Sequence, residues 1–110
     1  MPSVLFVNPL KPGKLNAYKT FVAEFTGPRK EEYLDLLKRY GLKSSKVHYH
    51  KIADKEFMIV MHESEPGKQE LLAGWVNSTH PFDVWFKGQL ANLHDFEYAG
   101  MPEMILDFKP

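Results

Sequence analysis

The segment that decides the fold runs from Lys46 to His62 and reads KVHYHKIADKEFMIVMH. Its two arms, 46–52 and 56–62, are rich in β-branched and aromatic residues, and each arm favours a strand. Only Ala53, Asp54 and Lys55 separate the arms, which leaves room for a tight turn and nothing longer. The segment therefore predicts an antiparallel β-hairpin.

The pairing register of this hairpin determines which side chains share a face of the sheet. A three-residue loop pairs Ile52 with Glu56 and places one set of side chains under the helices, namely Val47, Tyr49, Lys51, Phe57, Ile59 and Met61. The other face then carries His48, His50, Ile52, Met58, Val60 and His62. A loop of two or four residues would instead send the histidines of the two strands to opposite faces. We expect the first register, because it separates apolar from polar residues more cleanly.

The sequence on either side of the hairpin alternates between strand and helix patterns. Val4–Val7 predicts a first strand and Met104–Phe108 predicts a last one. Between them, apolar residues spaced by three and four predict helices, and Gly27-Pro28 either separates two helices or kinks one. These stripes are Leu15, Tyr18, Val22 and Phe25; Tyr33, Leu36, Leu37 and Tyr40; Leu71, Leu72, Trp75 and Val76; and Phe82, Trp85, Phe86, Leu90 and Leu93.

Cap residues mark the helix ends. Gly41 follows the second stripe and suits a helix C-terminus, because glycine accepts a left-handed conformation at little cost. Ser78 or Thr79 is expected to cap the last helix, with Pro81 in its first turn. The element order predicts an α+β fold, a ferredoxin-like βαββαβ two-layer sandwich with an antiparallel four-stranded sheet.

Composition bounds the class of protein. The 110 residues match one domain, which we assign to residues 1–110. Basic and acidic residues number 14 each, so the neutral chain gives no electrostatic reason to bind nucleic acid. No apolar stretch approaches the roughly 18 residues of a membrane span, so no membrane partner is expected. The chain has no cysteine, which excludes disulfides and fits a cytoplasmic location.

Two short segments carry a resemblance. Ser78–Phe86, which reads STHPFDVWF, and the start of the first helix at Pro12-Gly13-Lys14 are similar to segments of a bacterial family of unknown function. With its topology, the whole chain resembles the dimeric α+β-barrel superfamily, which includes cofactor-independent monooxygenases, isomerases and lyases. The resemblance implies a homodimer with a pocket beside the sheet, but it implies no single reaction.

The uncovered, half-apolar sheet face is the candidate functional surface, because exposed apolar patches mark partner or ligand sites. We expect a second copy of the chain to cover it and a small, partly apolar molecule to bind beside it. Histidine titrates near neutral pH, so the candidate acid–base groups are His48, His50 and His62. The candidate ligand-binding residues are Met58, Val60, His80 and Trp85.

Three interpretations of this surface remain open. The first is a small-molecule-binding domain, in which any catalysis would be acid–base chemistry without a cofactor. The second is a non-catalytic homodimeric binding or assembly module. The third is a metal-dependent enzyme that uses His48, His50 and His62, but no Asp or Glu on that face completes the shell, so we assign no metal. The sequence does not decide whether the protein is an enzyme.

Overall fold

The structure is a computed structural model that describes residues 3–110, apart from the side chain of Tyr98. The chain is an α+β protein whose three strands form an antiparallel sheet in the order β1–β3–β2. The predicted domain also includes Met1 and Pro2, which lie outside the described residues. In chain order the elements are β1 (Ser3–Leu10), α1 (Leu15–Thr26), α2 (Lys30–Arg39), β2 (Leu42–Ile52), β3 (Lys55–Ser64), a 3₁₀ helix (Leu71–Asn77), α3 (Pro81–Leu93) and a short 3₁₀ helix (Phe96–Tyr98).

The hairpin is confirmed, but its predicted register is wrong by one residue. Ile52 pairs with Lys55 rather than with Glu56, so only Ala53 and Asp54 form the loop. Tight two-residue hairpin loops need a positive φ at their first position, and Ala53 supplies it with φ +56°. The three-residue loop was the wrong choice because neither glycine nor asparagine marks this position.

The shift reverses the faces of β3 and leaves those of β2 as predicted. Val60 pairs with Phe6 of β1 and Val47 of β2, so these side chains share one face, which we call the cavity face. Met58 and His62 lie on this face too, on the same side as the helices. The other face, which we call the open face, carries Leu5, Val7, Phe57, Ile59 and Met61, with Lys46, His48 and His50 along its β2 row.

The predicted last strand, Met104–Phe108, is wrong: residues 101–110 have no regular structure. The place beside β1 is taken by the preceding segment, which makes two isolated bridges, Val7 with Gly100 and Leu10 with His94. Gly100 exchanges two backbone hydrogen bonds with Val7, of 2.8 and 3.1 Å. The chain therefore reaches the edge of β1 earlier than expected, and residues 101–110 are left without a strand to pair with in this copy.

Two glycines set the ends of the helices. At Gly27 a β-carbon would lie 2.8 Å from the carbonyl oxygen of Ala23, so only glycine lets the chain turn from α1 into a separate α2. Gly41 has φ +63° directly after the α2 C-cap, as the sequence predicted. Within residues 3–110, no helix is both long and apolar enough to cross a membrane.

The helix layer is held together by aromatic side chains. Phe21 and Phe86 have ring centroids 4.9 Å apart, and Phe25 lies 4.9 Å from Phe21 and 5.1 Å from Phe86. Phe82 of α3 is 1% exposed and packs 5.5 Å from Trp85. These ring contacts join α1 to α3, so aromatic packing holds the two helices together.

A buried carboxylate ties α2 to the start of α3. Asp83 is 0% exposed and accepts hydrogen bonds from both terminal nitrogens of Arg39, at 2.9 and 2.7 Å. The hydroxyls of Tyr40 and Ser78 each donate to it at 2.6 Å. Burial by itself raises the pKa of Asp83, but the hydrogen bonds from Arg39, Ser78 and Tyr40 outweigh burial and hold that pKa well below its usual value.

The loop geometry predicts that Ala53→Gly stabilises the protein. A left-handed conformation costs an L-residue about 1–2 kcal/mol, and the extra chain entropy of glycine offsets about 0.5–1 kcal/mol of that gain. We expect the free energy of unfolding in urea to rise by about 0.5 kcal/mol. The matched control is Ala17→Gly on the exposed side of α1, which should lower it by about 1 kcal/mol. A lower stability for Ala53→Gly would contradict the two-residue loop.

The Asp83 network predicts that Asp83→Asn lowers the free energy of unfolding by about 3 kcal/mol, because it leaves Arg39 without its buried counter-charge. Val84→Ala, at the next and 52% exposed position, should change it by less than about 0.5 kcal/mol.

The lowered pKa also means that the contribution of Asp83 is complete above its unfolded pKa of about 4 and is lost as the pH falls towards the folded pKa. Urea unfolding at pH 7, 5 and 3 should thus show that the free energy of unfolding falls more between pH 7 and pH 3 in the wild type than in Asp83→Asn. An equal fall in the two proteins would refute this role.

Candidate functional site

A large cavity separates the sheet from the helices. Its volume is about 610 Å³, within the roughly 300–1,000 Å³ range of small-molecule sites. This space is large enough to hold a small organic molecule.

The walls of the cavity are mostly apolar. The floor is the cavity face of the sheet, and the roof comes from α1, α2, α3 and the first 3₁₀ helix. Chief among the apolar lining residues are Val4, Phe6, Val47 and Val60 below and Phe25, Leu36, Leu72, Trp75, Phe86 and Leu90 above. Such walls favour a ligand with substantial apolar surface, because water leaves both surfaces when the ligand enters.

One polar group of the cavity is the imidazole of His62. It lies on β3 directly opposite Ser45 of β2, which also lines the cavity, as does Tyr33. Burial lowers the pKa of His62, so the ring is neutral at pH 7. Within the described part of the chain, its buried Nδ1 has no hydrogen-bond partner. As a neutral group that lines the cavity, the imidazole can accept a proton or a hydrogen bond from a bound molecule.

A second histidine, His94, also contributes to the wall, near Tyr18. Its Nδ1 lies 3.0 Å from the carbonyl oxygen of Pro9, and since a carbonyl only accepts, Nδ1 carries the proton. The Tyr18 ring packs edge-on against it at 5.4 Å, and burial, with a smaller effect of Tyr33, raises the pKa of Tyr18 to about 12. His94 is only 2% exposed and its Nε2 is buried, so it supports the wall rather than offering an accessible base.

The predicted acid–base residues are divided between the two faces of the sheet. His62 lines the cavity, whereas His48 and His50 are exposed on the open face. The three imidazoles cannot meet at one point, so the metal-binding cluster considered from the sequence does not form. Elsewhere in residues 3–110, the structure brings no three His, Asp or Glu side chains together in a way that could hold a metal ion.

The predicted ligand-binding residues are also divided. Val60 lines the cavity, while Met58 is 3% exposed, belongs to the buried core and lines a smaller neighbouring pocket. His80, rather than Ser78 or Thr79, is the N-cap of α3, and its Nδ1 accepts the backbone N–H of Phe82 at 3.2 Å. Trp85 lies under the Arg29 guanidinium, 4.1 Å from its ring centroid, and among the described residues Trp75 is the tryptophan that lines the cavity.

Sequence reasoning missed Tyr33, Ser45, Trp75 and His94 as cavity residues. For Tyr33 and Trp75 a signal was present, because each belongs to an apolar stripe that faces the sheet. Ser45 lies one residue before the predicted start of β2. His94 had no local signal, since its partner Pro9 is 85 residues away in the chain.

Comparison with known proteins adds no further constraint. No protein-family model matches the chain, and no curated protein matches it significantly.

The burial of His62 predicts an acid titration that NMR can measure. Its imidazole should titrate below the ordinary value of about 6.5, and its contribution to stability should be complete above that pH and be lost as the pH falls through the folded pKa. The measurement is a histidine side-chain NMR titration from pH 4 to 8, with the His62 signal assigned by its absence in His62→Gln. A His62 midpoint above 6.5 would show that the ring is not in the cavity wall.

Proposed function

We propose that the protein binds a small, largely apolar molecule in the cavity between sheet and helices and that His62 is the polar group that contacts it. The observation that carries the proposal is the cavity itself, about 610 Å³ of mostly apolar wall with a neutral histidine in its floor. A planar aromatic molecule with one acidic hydroxyl fits both properties. Its rings would contact Val60 and Phe86, and its hydroxyl would donate to His62.

We further propose that any reaction here is acid–base chemistry without a cofactor, with His62 accepting a proton from the bound molecule. Enolisation, or deprotonation of an activated aromatic ring, is the step that the cofactor-independent monooxygenases, isomerases and lyases of the dimeric α+β-barrel superfamily would share. The α+β fold with its antiparallel sheet supports membership of that superfamily, and the open face supports its homodimeric form. A cytoplasmic location stays a prediction.

The second candidate function is a non-catalytic homodimeric module. The observation that favours it is the open face, whose apolar centre at Leu5, Ile59 and Met61 has no helix over it in residues 3–110. In that case the cavity would hold only water. The two candidates differ in whether a small apolar molecule enters the cavity.

Adjacent residues of β3 provide the test, because Val60 and Ile59 face opposite sides of the sheet. The probe is 2-naphthol, followed by protein NMR chemical shifts. We expect saturable binding with shifts at Val60 and Phe86, at least tenfold weaker binding in Val60→Trp, which fills the cavity, and unchanged binding in Ile59→Trp. His62→Phe should abolish the preference for 2-naphthol over 2-methylnaphthalene.

Two results would decide against the proposal. Absence of saturable binding would favour the non-catalytic module, and equal binding by Val60→Trp and Ile59→Trp would place the probe outside the cavity. Should Val60→Trp fail to fold, Val60→Met gives a smaller obstruction of the same space, with Ile59→Met as its control.

A further inference from the structure

The C-terminal tail, which we define as residues 101–110, exposes an unusual amount of apolar surface. Five of its ten residues are large and apolar, and their exposed fractions lie between 64% and 85%, namely those of Met101, Met104, Ile105, Leu106 and Phe108. An isolated apolar residue on a surface needs no explanation, but five within one short segment expose a contiguous apolar surface. The tail therefore has the composition of a segment that packs against something.

The open face of the sheet has the complementary surface. Leu5, Ile59 and Met61 form part of its apolar centre, and the exposed side chains of Lys46 and His48 border it along β2. In the tail, Glu103 and Asp107 flank the apolar residues 104–106, and one basic residue, Lys109, follows them. The open face also carries Glu63 at the end of β3, so the match is mainly apolar, and Lys46 is the cation that Glu103 or Asp107 can pair with.

The tail is also placed and long enough to reach such a face. It leaves the sheet at Gly100, which is hydrogen-bonded to Val7 on the edge of β1. Ten extended residues span up to about 33 Å, whereas three strands about 4.8 Å apart span roughly 10 Å between the outer two. In this single copy Met101 also lines the cavity, and the apolar side chains of Met104, Ile105, Leu106 and Phe108 stay exposed.

We propose that the tail of one copy lies across the open face of a second copy, and that the second copy returns the same contact. This inference rests on the homodimer proposed above and specifies what holds it together. Each copy has one tail and one open face, so the reciprocal contact is satisfied at two chains and gives a closed, two-fold dimer. Ile105 and Leu106 would cover the apolar centre, while Glu103 and Asp107 would face the Lys46 and His48 border.

Cross-linking tests the contact between chains directly, because the protein has no native cysteine. We would mix Leu106→Cys with isotopically labelled Ile59→Cys, oxidise the mixture and measure the yield of mixed disulfide by mass spectrometry. The control replaces Ile59→Cys by Leu34→Cys, which is 46% exposed on α2 in the helix layer. We expect at least a tenfold higher yield with Ile59→Cys; equal yields would overturn the proposal. The proposal would also be overturned if the double variant Leu106→Cys/Ile59→Cys formed its disulfide only within one chain.

Sedimentation velocity tests the role of the tail separately from the existence of the homodimer. We expect the wild type to be dimeric and a chain ending at Gly100 to dissociate with a Kd at least tenfold higher, with its fold checked by circular dichroism. A truncated chain with unchanged Kd would overturn the role of the tail and leave the homodimer standing, whereas a monomeric wild type at several hundred micromolar would overturn both. As a second variant, Glu103→Lys/Asp107→Lys should also weaken the dimer, and Lys46→Glu should partly restore it; no weakening would remove the charge pairing from the proposal.

Discussion

The carboxylate of Asp83 is completely removed from water and is balanced by the guanidinium of Arg39 and by the hydroxyls of Tyr40 and Ser78. Removing Arg39 would leave this buried charge without a counter-charge, whereas removing either hydroxyl would cost one hydrogen bond. Its donors come from the end of α2 and from the segment that precedes α3. Together with the aromatic contacts of the helix layer, this side chain fixes α2 relative to α3, and both helices contribute to the roof of the cavity.

Aromatic contacts between the helices explain how the protein can contain a large cavity. In most two-layer folds the sheet and helices pack directly against one another, and each stabilises the other. Here the contacts of Phe21, Phe25 and Phe86 lie within the helix layer, so burial is gained without closing the space above the sheet. The strands contribute Leu10, Leu42 and Met58 to the same buried core. The space left over is the site at which we propose ligand binding.

Local patterns predicted what depends on local chemistry. Periodicity gave the helices and the hairpin, and the left-handed preference of glycine gave the end of α2 at Gly41. The face of β3 could not be predicted, because it depends on an alanine, Ala53, in a conformation that alanine rarely adopts. That single turn decided whether Val60 and His62 line the cavity or the open face. The early edge pairing of Gly100 was equally hidden, because it depends on a contact with β1 at the other end of the sequence.

The outer edge of β2 pairs with no other described strand, and this has a consequence for solubility. An exposed edge of eleven residues is a template on which other chains can add strands and grow into fibrils. β2 carries lysines at positions 43, 46 and 51, distributed along its length. Stacking this strand against a copy of itself would bring like charges together without counter-ions. The chain thus keeps a wide sheet face free for specific recognition while discouraging uncontrolled polymerisation at its border.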